Sequence, residues 1–285
     1  MTVVKLDVVN RATGGGGGGG GSTPPTSPWG YSVLANGYIV LNGQGTAFAY
    51  CHANSYITCN GNLEWGNGTS NVVVSSANSS QGFLANGQIT VHGTVRAPKI
   101  TINGNINIDH QIVTNVATVT FPTPDLTSYY NIALANGQVN SSALTLNGNT
   151  SWGAIAGGVK WVNGAFTANG SLSYSGCIIA TGNMTFNGVT TQTRVGDLPA
   201  AVSRDGTVVM NGSHTVEGLV FSKGDLTWNG QGSIAGSVLC GGNLTFNGSY
   251  GIVSYKYSEP GTAAGGGGGG GSGGADKVGI SAWQK

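Results

Sequence analysis

Leu226-Thr227-Trp228-Asn229-Gly230 and Leu244-Thr245-Phe246-Asn247-Gly248 spell the same phrase eighteen residues apart: apolar, Thr, apolar, Asn, Gly. Ile57-Thr58-Cys59-Asn60-Gly61, Ile100-Thr101-Ile102-Asn103-Gly104, Leu144-Thr145-Leu146-Asn147-Gly148 and Met184-Thr185-Phe186-Asn187-Gly188 repeat it, with looser copies ending at Gly43, Gly93 and Gly212. Alternation at period two turns the first and third residues of each copy to one face and Thr to the other, as in a half-buried strand. Asn-Gly supplies the positive φ that a sharp corner needs. Glycine recurs every six residues from Gly206 to Gly248. Six residues therefore predict one side of a coil, and eighteen one turn. A helix is excluded, because glycine at that density would cost nearly 1 kcal/mol each and the apolar period is wrong.

The expected fold class is all-β, a triangular parallel β-helix (β-solenoid) with about 18 residues per coil. Leu244 should lie over Leu226 and Phe246 over Trp228, with Thr columns facing solvent. Residues 29–257 form the expected solenoid, a rod of roughly ten to twelve coils spaced about 4.8 Å apart. Its open ladders are expected at the first and last coils. The register is interrupted between about Ile112 and Tyr130, where Phe121-Pro122-Thr123-Pro124-Asp125 cannot continue a ladder for want of an amide donor, so 112–130 is expected to protrude. A second break, Val189 to Arg204, reads as a loop.

Two homoglycine tracts flank this region, Gly14 to Gly21 within 14–28 and Gly265 to Gly271 within 258–274. Beyond them lie strand-like ends at 1–13 (Val4, Leu6, Val8) and 275–285 (Val278, Ile280, Trp283). The tracts read either as flexible linkers or as extended chains packed against each other or against neighbouring subunits. The terminal strands are candidates for pairing with each other or with another copy.

Composition narrows the partners. Charged residues are 7% of the 285, and the net charge is +1 with no basic stripe. Nucleic acid is therefore not expected as a partner. No run of about 18 apolar residues spans a membrane, and the N-terminus lacks the apolar stretch of a signal peptide.

Catalytic chemistry has little to draw on. Asp and Glu together number 10 and the four histidines, His52, His92, His110 and His214, are dispersed, so no metal or nucleophile constellation emerges. Asp225 fills the corner position taken by Asn183 and Asn243 and reads as a turn residue. Asp109 and His110, beside the insertion, are the least ordinary polar pair. Cys51 and Cys59, one side apart, are candidates for a local disulfide or for buried free thiols. Cys177 and Cys240 fall in different columns. Asn-x-Ser/Thr sites abound by composition alone. No cofactor and no enzymatic activity are expected.

Tyr31-Ser32-Val33-Leu34-Ala35-Asn36-Gly37 with Ile39-Val40-Leu41-Asn42-Gly43, the Phe121 to Tyr130 segment, Gly224 to Trp228, Gly242 to Phe246 and Ile280 to Gln284 together resemble the soluble region of PilX-like type IV pilus assembly proteins. The coil pattern resembles bactofilin polymers more loosely. The resemblance spans roughly residues 30 to 285 and implies an extracytoplasmic component of a pilus-like assembly, without catalytic residues. It lacks that family's hydrophobic N-terminal helix. The expected function is a structural subunit of an extracellular or cell-surface filament, self-associating through solenoid ends and terminal strands. The alternative is a phage or bacterial surface adhesin or binding module whose polyglycine region packs as a rigid platform, with cell-surface glycans as partners and an aromatic cluster at Trp29, Tyr31, Tyr255 and Tyr257 as its discriminating feature. A polysaccharide-acting enzyme comes last, for want of paired carboxylates.

Overall fold

A computed structural model describes residues 25, 27–48, 50–66 and 72–253. The terminal strands with Val4, Leu6, Val8, Val278, Ile280 and Trp283, the glycine tracts with Gly14, Gly21, Gly265 and Gly271, and the aromatics Tyr255 and Tyr257 lie outside the described residues.

Among the described residues the chain is an all-β solenoid with parallel strand pairing throughout and one α-helix. The repeated phrase forms strands, and each strand stacks on a copy of itself. Leu226 pairs with Leu244 and Trp228 with Phe246, in register along the whole of Leu226–Cys240 against Leu244–Val253. Val208–Ser222 pairs with Leu226–Cys240 over all fifteen residues at the same offset of eighteen. Offsets elsewhere vary with local insertions: Met184 lies against Val208, twenty-four residues on, and Ile57 against Phe83, twenty-six on. The break expected over Val189 to Arg204 is shorter than that. Strand Met184–Thr193 runs on through Thr193, and the chain leaves the ladder only until Ala201–Ser203.

The layers do not follow chain order. Strand Ile39–Phe48 of the first coil pairs along its length with Leu244–Val253 of the last, Ile39 opposite Leu244 and Gly43 opposite Gly248. Read along the solenoid, the first apolar column is Ile100, Phe83, Ile57, Ile39, Leu244, Leu226, Val208, Met184, Phe166, Leu144. These residues mark ten layers. The first and last coils thus meet in the middle. The open ladders fall instead at Ile100–Ile102 with Asn105–Val113, and at Leu144–Asn147 with the start of Thr150–Val162.

The segment between those two ends joins them. It does not protrude, as the prolines suggested; it lies along one side of the solenoid as a strap. The Thr114 amide donates to Ala97 at one end. Asn54 holds the Val119 backbone through both of its amide atoms, at 2.7 Å each. Phe121 packs on Phe221, and helix α1 (Thr127–Ala135) completes the crossing. Asp125 Oδ1 accepts from the Thr127 amide and starts the helix. Tyr129 and Ala133, one turn apart, are its buried residues.

Two cores result. The inner one fills the coil with the inward columns, Phe166, Phe186, Trp228 and Phe246 among them. The outer one lies between the strapped side and its cover. There Leu34, Leu239, Phe221, Val202, Ile179 and Trp161 stack in one column under Trp29, Tyr31, Leu126, Tyr129 and Ala133. A strip of apolar residues on the outside of a coil is stable here because strap and helix remove it from water.

Glycine serves stacking as much as turning. Gly230 has φ of 136°, but Gly61 has no positive φ, and a Cβ there would collide with the Gly43 carbonyl of the adjoining layer. Size is also balanced between layers: Gly45 lies against Tyr250, and a Cβ there would collide with the Tyr250 ring, while a Cβ at Gly232 would meet the His214 carbonyl.

Candidate functional site

The candidate site is the pair of open ladders. A parallel strand with one neighbour leaves half of its backbone donors and acceptors unpaired, and this is the usual template for adding another strand. Ile100–Ile102 pairs only with Phe83–Ala85, and Leu144–Asn147 only with Phe166–Asn169, among the described residues. The two ends carry the repeated phrase unaltered, so each has the side chains of an interior layer.

Their apolar residues are correspondingly uncovered. Ile100, Ile106 and Ile108 are only partly buried, and Ile102, Ile112 and Val113 are exposed, Val113 to 58%. At the other end Leu144, Leu146 and Trp152 are partly buried. They line, with Ile155 and Lys160, a hollow of about 430 Å³ where the inner core opens to solvent. One end is a ridge of isoleucines and the other a hollow.

Asparagines at the corner of every layer join the two ends. Asn103 donates through Nδ2 to Asn86 Oδ1, Asn86 to Asn60, Asn60 to Asn42, and Asn42 across the meeting of first and last coils to Asn247. Asn247 donates to Asn229, then Asn211, Asn187, Asn169 and finally Asn147, all at 2.7 to 3.0 Å. Every amide in the ladder points the same way. The Asn103 Oδ1 and the Asn147 Nδ2 are therefore the ladder's unused acceptor and donor among the described residues. Sequence reasoning assigned these asparagines to corner geometry and missed the ladder, although their recurrence at one place in every phrase was the available signal.

The other sequence candidates are placed as follows. Cys51 and Cys59 are buried free thiols and form no disulfide; both face the inner core. Burial pushes Cys51 up to about 12, and burial and then the neighbouring Cys51 hold Cys59 well above its ordinary value. Cys177 and Cys240 are also free and buried. Asp109 falls at the register shift of the end strand, and both it and His110 are exposed on that open layer. Asp225 does the work of Asn183 and Asn243: its Oδ1 accepts from the Asn243 amide as Asn183 Oδ1 accepts from Thr207. His92 is 3.6 Å from Glu64. Trp29 and Tyr31 are buried in the outer core, and so do not form part of an exposed aromatic platform. Among the described residues no group of three or more His, Cys, Asp or Glu could hold a metal, and no helix is long and apolar enough to cross a membrane.

No protein-family model matches the chain, and no curated protein matches it. Solved structures similar to it include two ice-binding proteins. One is an ice-binding protein from the Antarctic ascomycete Antarctomyces psychrotrophicus, with 12% identity and a TM-score of 0.40, covering 79% of this chain and 95% of that one. The other is an ice-binding protein from an Antarctic biological consortium, with 12% identity and a TM-score of 0.36, covering 88% of this chain and 96% of that one. Likeness at this level carries no argument about what this chain binds.

Proposed function

We propose that this chain is a non-enzymatic structural subunit that stacks head to tail, the Ile100 layer of one copy on the Leu144 layer of the next, to build an extracellular or cell-surface filament. The observation that carries this reading is the polarity of the asparagine ladder. Its unused Asn147 Nδ2 and Asn103 Oδ1 are complementary, so a second copy in the same orientation continues the ladder, whereas an inverted copy sets donor against donor at the Asn147 end or acceptor against acceptor at the Asn103 end. Ile100 would fall over Leu144, Thr101 over Thr145 and Ile102 over Leu146. The isoleucine ridge would enter the hollow beside Trp152. Such an interface is heterologous and does not close, which yields fibres. A triangular coil of about eighteen residues, with corners at Gly212, Gly218 and the Gly224 position, belongs to the same proposal. So does kinship with PilX-like pilus assembly proteins, with this difference in mechanism: the joining surfaces are mid-sequence layers.

The test is Ile102→Lys and Leu146→Lys in the full chain, each placing a charge in the joint while leaving the interior layers intact. Sedimentation should show the wild type assembling and both variants monomeric with unchanged circular dichroism. Wild type that stays monomeric at high concentration would sink the proposal, including the case in which the chain's own terminal segments cap the ends.

A further inference from the structure

The column beneath the strap changes character halfway along. From Leu34 to Trp161 it is apolar and covered by aromatic rings and α1, but in the other direction it reads His52, Ser75, Arg96, Ile112. Over this polar stretch the strap residues 114–119 line, together with Tyr31, His52, Ser75 and Arg96, a partly open cavity of about 290 Å³. That volume is near the lower end of the range for small-molecule sites.

The polar groups in this cavity fall into two sets. His52 is fully engaged: its Nε2 lies 2.9 Å from Asn54 Oδ1 and its Nδ1 2.8 Å from Ser75 Oγ. Asn54 in turn clamps Val119, so this set fixes the strap at one edge of the cavity. Arg96 is the opposite case. Its Nε is buried and has no hydrogen-bond partner, and it makes no ion pair among the described residues. No Asp or Glu lines the cavity. A buried guanidinium nitrogen without an acceptor is costly, and its planar fork matches two oxygens of one carboxylate. Thr114, Asn115 and Thr118 line the same cavity, and their hydroxyls and amide suit a ligand bearing hydroxyl groups.

We propose that the cavity between strap and coil binds a small carboxylate-bearing ligand of uronic-acid size, with Arg96 as its carboxylate anchor. This site is remote from the coil ends and stands independently of assembly.

The experiment is an amide NMR titration of the full chain, under conditions that keep it soluble, with sodium D-glucuronate. D-glucose serves as the counterpart lacking the carboxylate and inorganic phosphate as the competing anion. Glucuronate should shift the amides of Tyr31, Ser75 and residues 114–119 in a saturable way, at least tenfold more tightly than glucose or phosphate. Arg96→Gln should lose tenfold or more of that affinity, and Arg96→Lys, which keeps charge without the fork, should fall between. Absence of saturable shifts in the wild type overturns the proposal even if a variant fails to fold. So does glucose or phosphate binding as tightly as glucuronate, or a folded Arg96→Gln that binds unchanged.

Discussion

Joining the first and last coils in the middle of the solenoid makes Val40 and Thr245 Cα partners, and both are half-buried on the solvent side of the ladder. Adjacent strands lie about 4.8 Å apart, within the Cα separation that a disulfide tolerates. In a coil that simply followed chain order, the same residues would stand at opposite ends of ten layers, about 43 Å apart. The double variant Val40→Cys, Thr245→Cys should therefore oxidise to an intramolecular disulfide. The positions are 205 residues apart in sequence, and closing so long a loop removes chain entropy worth roughly 5 kcal/mol at most, with native strain subtracting from it. The four native cysteines should not interfere, since all are buried and burial raises their pKa values, Cys51 and Cys240 to about 12. Thiol counting, mass spectrometry and non-reducing gel mobility read the result, and urea unfolding with and without reductant reads its effect on stability. A folded double variant that keeps six free thiols under oxidising conditions, or that links only between molecules, would refute the layer order.

Three further outcomes follow from the same geometry. Asn229→Ala interrupts the ladder at an interior layer and leaves Asn211 Oδ1 and Asn247 Nδ2 without partners; it should cost about 1–3 kcal/mol in urea unfolding, whereas Thr227→Ala on the solvent row should change stability by less than about 0.5 kcal/mol. His214 is fully buried against Trp228 with neither ring nitrogen hydrogen-bonded, and desolvation, opposed in part by the Asn211 backbone, brings it down to about 4. Because its folded value lies below the unfolded one of about 6.5, the unfolded state binds more protons between them. Stability is full above about 6.5 and should fall as pH drops toward 4, by up to about 3 kcal/mol, with His214→Leu flattening that dependence in melts at successive pH values. Asn54→Ala removes both hydrogen bonds to Val119, and hydrogen exchange should show faster exchange of the Val119 amide with the inner-core amides unchanged.

The sequence made the layer legible but not the order of layers. Apolar-Thr-apolar-Asn-Gly specifies a strand, its inward face and its corner, and Leu244 over Leu226 follows from the spacing. The same uniformity hides the stacking order: Ile39 fits on Leu244 as well as on Ile57, because every layer presents the same face to its neighbours. The strap was hidden for another reason. Its prolines correctly exclude it from the ladder, but what holds it down is a long-range fit of Val119, Phe121 and Tyr129 to an outward apolar column. That column looks, in any one coil, like a single misplaced Leu or Phe. Helix α1 has an apolar residue, Leu126, at its N-cap and only nine residues, so little local signal announces it. Cys51 and Cys59 were close enough in sequence to suggest a bridge, but both project into the packed interior as separate members of the core.

Negative-stain and cryo-electron microscopy of the purified full chain at neutral pH test the account's central claim most directly. Ten layers of about 4.8 Å predict unbranched filaments with an axial subunit repeat of about 48 Å. The stacked phrases themselves, Ile100 to Asn103 on Leu144 to Asn147, are uncharged, so the filaments should persist at high salt even though Asp109 and Lys160 lie at the two ends. Particles that remain single at high protein concentration, or filaments whose repeat is unrelated to the length of one solenoid, would contradict head-to-tail stacking.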